Sequence, residues 1–127
     1  MSERLVAERI IQQLHAARVG GDLAGMCRVF ADEGRYEILG ASADKPIAIR
    51  AQNLATFRPW LSMMVKVFRL NNYHLLSLTV EMPRAVAHWR ADIFSKVTGA
   101  TIPTELVDIV EIKAERIATY TEFFAPR

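Results

Sequence analysis

The feature that most constrains this chain is a change of period near residue 65. Beyond it, four runs rich in β-branched and aromatic residues follow one another, at 67–82, 84–97, 105–113 and 116–124. Pro83, Thr98-Gly99-Ala100, Pro103 and Ala114-Glu115 punctuate them as turn signals. Two of the runs are so long that, as strands, they must twist and bend, through bulges where needed. Before the change, Val6, Ile10, Leu14 and Ala17 recur at helical spacing, with Ser2 placed to cap the helix and Gly20-Gly21 to end it. Asp22 caps a second helix whose stripe is Leu23, Met26, Cys27 and Phe30. Residues 35–39 read as a short first strand and 40–46 as a loop in which Asp44 is an available cap. Ile47, Ala51, Leu54 and Phe57 then suggest a third helix, which Pro59 should end or kink, with one more turn over 59–64. Helices first and connected antiparallel strands afterwards make the α+β pattern. The expected product is a curved antiparallel sheet forming a cone, with about three helices across its concave face and an apolar interior.

Composition sets the boundaries of that reading. The 127 residues fit one domain over 1–127, and 51% hydrophobic content supplies a core without disulfide or metal. A single cysteine, Cys27, allows no internal disulfide and points to the cytoplasm. The net charge of +2 includes four scattered lysines and no basic patch, which argues against nucleic acid as a partner. The opening residues turn charged and amphipathic at once, unlike a secretion signal, and no apolar run approaches the roughly 20 residues that cross a bilayer. The three histidines lack metal-ligand spacing and the glycines lack a phosphate-binding pattern, so neither metal nor cofactor is expected.

Two places carry chemistry. Strand alternation groups His88, Arg90 and Asp92 on one face and Trp89, Ala91 and Ile93 on the other. Three ionisable groups in a row describe either a reaction site or a solvated face with a weak surface ion pair. Glu122 stands between Tyr120 and Phe124, an apolar setting that lifts a carboxyl toward the acid–base range, unless it faces water at a strand end. Register decides whether the two places meet. With Ala114-Glu115 as a two-residue turn, Lys113 opposes Arg116 and Val107 opposes Glu122, so Glu122 would share a face with Val107, Ile109 and Glu111. Arg90 and Asp92 join it if Asp92 pairs with Ile109 or a residue two away; a slip of one residue separates them.

The element order, Asp22-Leu23 opening the second helix, and the final hairpin from Ile112 to Ile117 running into Tyr120-Thr121-Glu122-Phe123-Phe124 resemble the nuclear-transport-factor-2-like superfamily over essentially the whole chain. That superfamily includes ketosteroid isomerase, the SnoaL-like polyketide cyclases and limonene epoxide hydrolase. Arg90-Ala91-Asp92, Glu122 and Tyr36 stand where the last of these carries its Arg-x-Asp, its last-strand acid and its first-strand tyrosine. By that resemblance Glu122 draws a proton from water, Asp92 protonates the substrate oxygen, Arg90 bridges the two carboxyls and Tyr36 holds the water. Two positions depart from the pattern: Glu122 stands where Asp is usual, and Ile38 where Asn is.

The resemblance further implies a cavity bordered by the third helix, with Phe57, Trp60 and Met64, and by His74, His88 and Ile109 from the sheet. It also implies a homodimer through the sheet face, where Tyr73, Leu75, Trp89 and Ile93 would form an apolar outer surface. The resulting expectation is an enzyme using general acid–base chemistry on a small apolar substrate, as an isomerase, cyclase or epoxide hydrolase would. A non-catalytic module of the same fold, binding an apolar ligand or mediating assembly, is the alternative.

Overall fold

The helix starts follow their capping residues. In the computed structural model, which describes residues 2–42 and 44–127, with Ser42 as backbone only, the Ser2 hydroxyl accepts a hydrogen bond from the Leu5 amide at 3.1 Å, opening α1 (Glu3–Val19). The Asp22 carboxylate accepts from the Gly25 amide at 3.0 Å and opens α2 (Leu23–Arg28). The chain then enters β1 (Phe30–Ser42), which runs well past the short strand expected, and turns through Asp44 into β2 (Lys45–Asn53). Asp44 therefore sits in a hairpin turn with φ 67° and caps no helix.

The expected helix from Ile47 is a strand up to Asn53. Ile47, Ile49 and Ala51 alternate inward, and that period of two prevails because β1 offers them a pairing edge. Only then does α3 (Leu54–Val67) begin, capped by Asn53, whose side chain accepts from the Thr56 amide at 2.8 Å. Pro59 does not end it. The proline is exposed, so the backbone bond it forgoes faces water.

Four more strands follow: β3 (Phe68–Glu81), β4 (Arg84–Ser95), β5 (Thr101–Lys113) and β6 (Arg116–Pro126). Pro103 lies inside β5, near its start, instead of in a turn. The sheet order is β2-β1-β6-β5-β4-β3, antiparallel throughout except that β1 and β6 run parallel. The sheet is curved and unclosed, and the three helices lie on its concave side. One end of the interior is closed by aromatic side chains. Phe30, Tyr36, Phe57 and Tyr120 meet edge to face or stacked, with ring centroids 5.1 to 6.3 Å apart.

One bulge decides the chemistry of the interior. The β5–β6 turn is the expected two-residue one, with Ala114 and Glu115 both at positive φ and Lys113 opposite Arg116. Ile112 still opposes Ile117, but Glu111 opposes Thr119, leaving Ala118 as an extra residue. Beyond that point every pair is displaced by one. Glu122 faces Asp108, not Val107. The unshifted β4–β5 pairing sets Asp92 opposite Pro103, six residues from Ile109 and so on the same face as Ile109. The one-residue slip thus puts Glu122 on the concave face with Asp108, away from the convex face that Arg90 and Asp92 share with Val107 and Ile109.

Candidate active site

A chain of buried polar side chains runs through this concave interior. His15 and Arg18 come from the inner face of α1, one turn apart, where a purely apolar stripe would have sufficed for packing. Asp108 and Glu122, completely or almost completely buried, oppose one another on β5 and β6. The Arg18 guanidinium pairs closely with Glu122 Oε1, and a second nitrogen lies 3.5 Å from Oε2. Tyr120 Oη lies 2.9 Å from Glu122 Oε1 and 3.3 Å from Asp108 Oδ1. Asp108 Oδ2 accepts from the Trp89 indole N–H at 3.1 Å and contacts His15 Nε2 at 2.7 Å. His15 Nδ1, at the other side of the ring, is 2.6 Å from the Tyr73 hydroxyl. Trp89 also lies beneath Arg18, whose guanidinium carbon is 5.2 Å from the ring centroid.

Burial and charge act against each other here. Desolvation disfavours the Arg18 charge, but Glu122, Tyr120 and Asp108 more than offset it, and the guanidinium stays protonated above its ordinary range. Burial, with Asp108 and Glu122 alongside, pushes the Tyr120 hydroxyl well above its usual value, so it remains a donor. Burial and Asp108 likewise raise Tyr73 to about 12.

Beside this network lies an apolar pocket of about 240 Å3. Ile38, Ile47, Ile49, Met64, Phe68, Ile93, Leu106 and Phe124 contribute to its wall, and Glu122 is the one ionisable side chain among the described residues that line it. Gly40 helps shape this wall. A Cβ there would come within 2.5 Å of the Phe124 ring, so glycine lets the ring lie against β1. Among the described residues no group of three His, Cys, Asp or Glu side chains gathers as a metal site would.

The expected site residues divide between two faces. Glu122 and Met64 line the pocket. Arg90, Asp92 and His74 border a separate polar groove on the convex face, where Asp92 accepts from the Asn72 amide nitrogen at 2.8 Å. His88 is on that face too, 3.4 Å from Glu105, and Ile109 is 37% exposed there. Tyr36 is core: its hydroxyl donates to the Ala31 carbonyl, its ring stacks on Phe57, and burial with nearby Asp32 and Glu33 lifts it to about 12. Phe57 is buried in the same aromatic cluster, whereas Trp60 is 40% exposed. Trp89, expected outside, is buried inside, with Ile93 on the pocket wall and Tyr73 against His15. His15, Arg18 and Asp108 are additions that sequence spacing did not single out. A polar pair at i, i+3 within the apolar stripe of α1 was the available sign.

The fold is that of the NTF2-like proteins. Over 98% of this chain and 90% of the other, it superposes on a "putative isomerase" from Bacillus subtilis with a TM-score of 0.85 at 16% identity. A "putative polyketide cyclase" from Xanthomonas campestris pv. campestris gives 0.77 at 18% identity, covering 96% and 92%. An LEH-like epoxide hydrolase from Mycobacterium tuberculosis gives 0.75 at 13% identity, covering 95% and 84%. Residues 11–120 match the SnoaL-like domain, and the chain belongs to that family. No protein of curated function matches it in sequence.

Proposed function

We propose that this protein is a proton-transfer enzyme acting on a small, largely apolar molecule, with Glu122 as the group that takes and returns the proton. The observation that carries this reading is a lone carboxylate in an otherwise apolar pocket, oriented from behind by Arg18 and Tyr120. The apolar wall offers this carboxylate no competing partner, so it can face a C–H bond next to a carbonyl in a bound ligand. The Arg18 guanidinium pairs with it and Tyr120 fixes one of its oxygens. Isomerisation by proton transfer suits this wall better than epoxide hydrolysis. A hydrolase must also hold a water, and no other polar side chain among the described residues lines the pocket.

The test is proton exchange in deuterated water with a panel of small cyclic ketones and enones, followed by NMR. Glu122→Gln should slow exchange at least about 100-fold, the scale of a lost general base, with ligand affinity changed only a few-fold. Ligands that bind tightly and exchange no proton in the wild type would instead establish the non-catalytic binder.

The sheet-pairing expectation persists on other residues. We propose that a second copy covers the convex face around Val107, Ile109 and Phe123, the last 43% exposed. Phe123→Glu should then convert a dimer to a monomer in sedimentation; a wild-type monomer would reject the pairing.

A further inference from the structure

The interior network does not use the whole of Arg18. Its two terminal nitrogens face the two oxygens of Glu122, an end-on pairing that engages one hydrogen of each. The lateral edge, Nε–H with the neighbouring terminal N–H, is left over. The side chain is only 9% exposed, and its Nε is buried with no hydrogen-bond acceptor among the described residues. Buried guanidinium donors are seldom left so, and this edge can take a second carboxylate by two parallel hydrogen bonds. Arg18 is also the one member of the network that lines a second cavity, again of about 240 Å3. Phe68 belongs to the walls of both this cavity and the apolar pocket. Arg69 and Lys96, both exposed, stand at its rim with Asn71. No Asp or Glu among the described residues lines it, and no ion pair among them holds Arg69 or Lys96. The end of α1 at Gly20 and Gly21 brings roughly half a negative charge to this place, which Arg69 and Lys96 outweigh. Val19, Val65 and Leu70 make much of the remaining wall apolar, which suits a singly charged group on a carbon chain.

We propose that this second cavity binds a carboxylate group, held by the lateral edge of Arg18 and drawn in by Arg69 and Lys96. One guanidinium can serve two carboxylates because its donors are divided between two edges. Arg69 and Lys96 supply the positive charge that a second carboxylate needs beside a pair already formed. The carboxylate has two sources. It is either the far end of the molecule in the apolar pocket, reaching past Phe68, or a separate small carboxylic acid. In the first case the substrate is an apolar keto acid, which deepens the assignment of Glu122 as the proton carrier and rests on it. The ketone end then lies at Glu122 and the acid end at the other edge of the same guanidinium.

The test is binding to the intact chain at neutral pH and constant ionic strength, with chloride as the replaced anion. In nitrogen-edited NMR, the Arg18 Nε–H resonance of the wild type should move saturably as acetate is added. The double variant Arg69→Gln/Lys96→Gln changes two exposed positions outside the Glu122 network, so the fold should survive it. Its acetate affinity should fall about tenfold or more, the scale of a charge-assisted hydrogen bond. An Arg18 Nε–H that does not respond to acetate, or responds equally in the double variant, overturns the site. Calorimetry with 4-oxocyclohexanecarboxylate and its neutral methyl ester then separates the sources. A wild-type preference for the acid of about tenfold, lost in the double variant, places the carboxylate on the substrate. Equal binding of acid and ester, with the acetate response intact, assigns the site to a separate acid. No turnover is measured, so failure here leaves Glu122 as a base untouched. An inactive ketone panel likewise leaves the acetate response standing.

Discussion

The two sides of the sheet gather nearly the same kinds of side chain and differ in almost everything else. On the convex face are His88, Arg90, Asp92 and Glu105, with His74 beside them; on the concave side Asp108 and Glu122 of the sheet meet His15 and Arg18 of α1. Outside, the groups are partly or largely exposed and hold one another at distances such as the 3.4 Å between His88 and Glu105, where water screens most of their attraction. Inside, the same kinds of group are desolvated, each forced to find a partner and able to change its neighbour's charge state. Residue type therefore does not make a reactive site; burial of the type in a connected network does.

The comparison can be broken outright by exchanging which carboxylate matters. Asp92→Asn should leave activity within about two-fold, while Glu122→Gln removes about 100-fold or more. The opposite ranking in the exchange assay would return the site to the convex face. Stability should separate the faces next. Asp108→Ala strands the Trp89 indole N–H and His15 Nε2 and should cost about 3 kcal/mol in urea unfolding. Asp92→Ala loses a single surface hydrogen bond and should cost under about 1 kcal/mol.

A smaller effect is expected at the pocket wall. Gly40→Ala must displace the Phe124 ring and so change ligand affinity several-fold, with unfolding free energy less affected; calorimetric titration with a bound ketone reads it. The smallest concerns pH. Tyr73 has its hydroxyl raised to about 12 in the folded chain against about 10 when unfolded, so its contribution is whole below pH 10. It is lost as pH rises from 10 through 12. Thermal stability should fall over that window, and less steeply in Tyr73→Phe.

Much of the fold was legible because it follows local rules. The caps at Ser2 and Asp22, the two-residue turn at Ala114-Glu115 and the late run of strands each depend on residues close in sequence. Ile47 to Asn53 was not, since Ile47, Ala51 and Leu54 fit a helix while Ile47, Ile49 and Ala51 fit a strand. Only the edge of β1 breaks that tie. At the site, Glu122 stood out through its aromatic neighbours, but its companions did not.

By itself, then, the sequence determined the α+β class, the capped helices and a carboxylate set among aromatics. Tertiary structure alone decided which groups that carboxylate meets. The physical reason is the extra residue at Ala118: strand side chains alternate with a period of two, so one unpaired residue reverses which face everything beyond it occupies. It brings Glu122 onto the face of Asp108 and off the face that Arg90 and Asp92 occupy. The distance along the chain from Arg18 to Glu122 is closed only when α1 packs across the finished sheet.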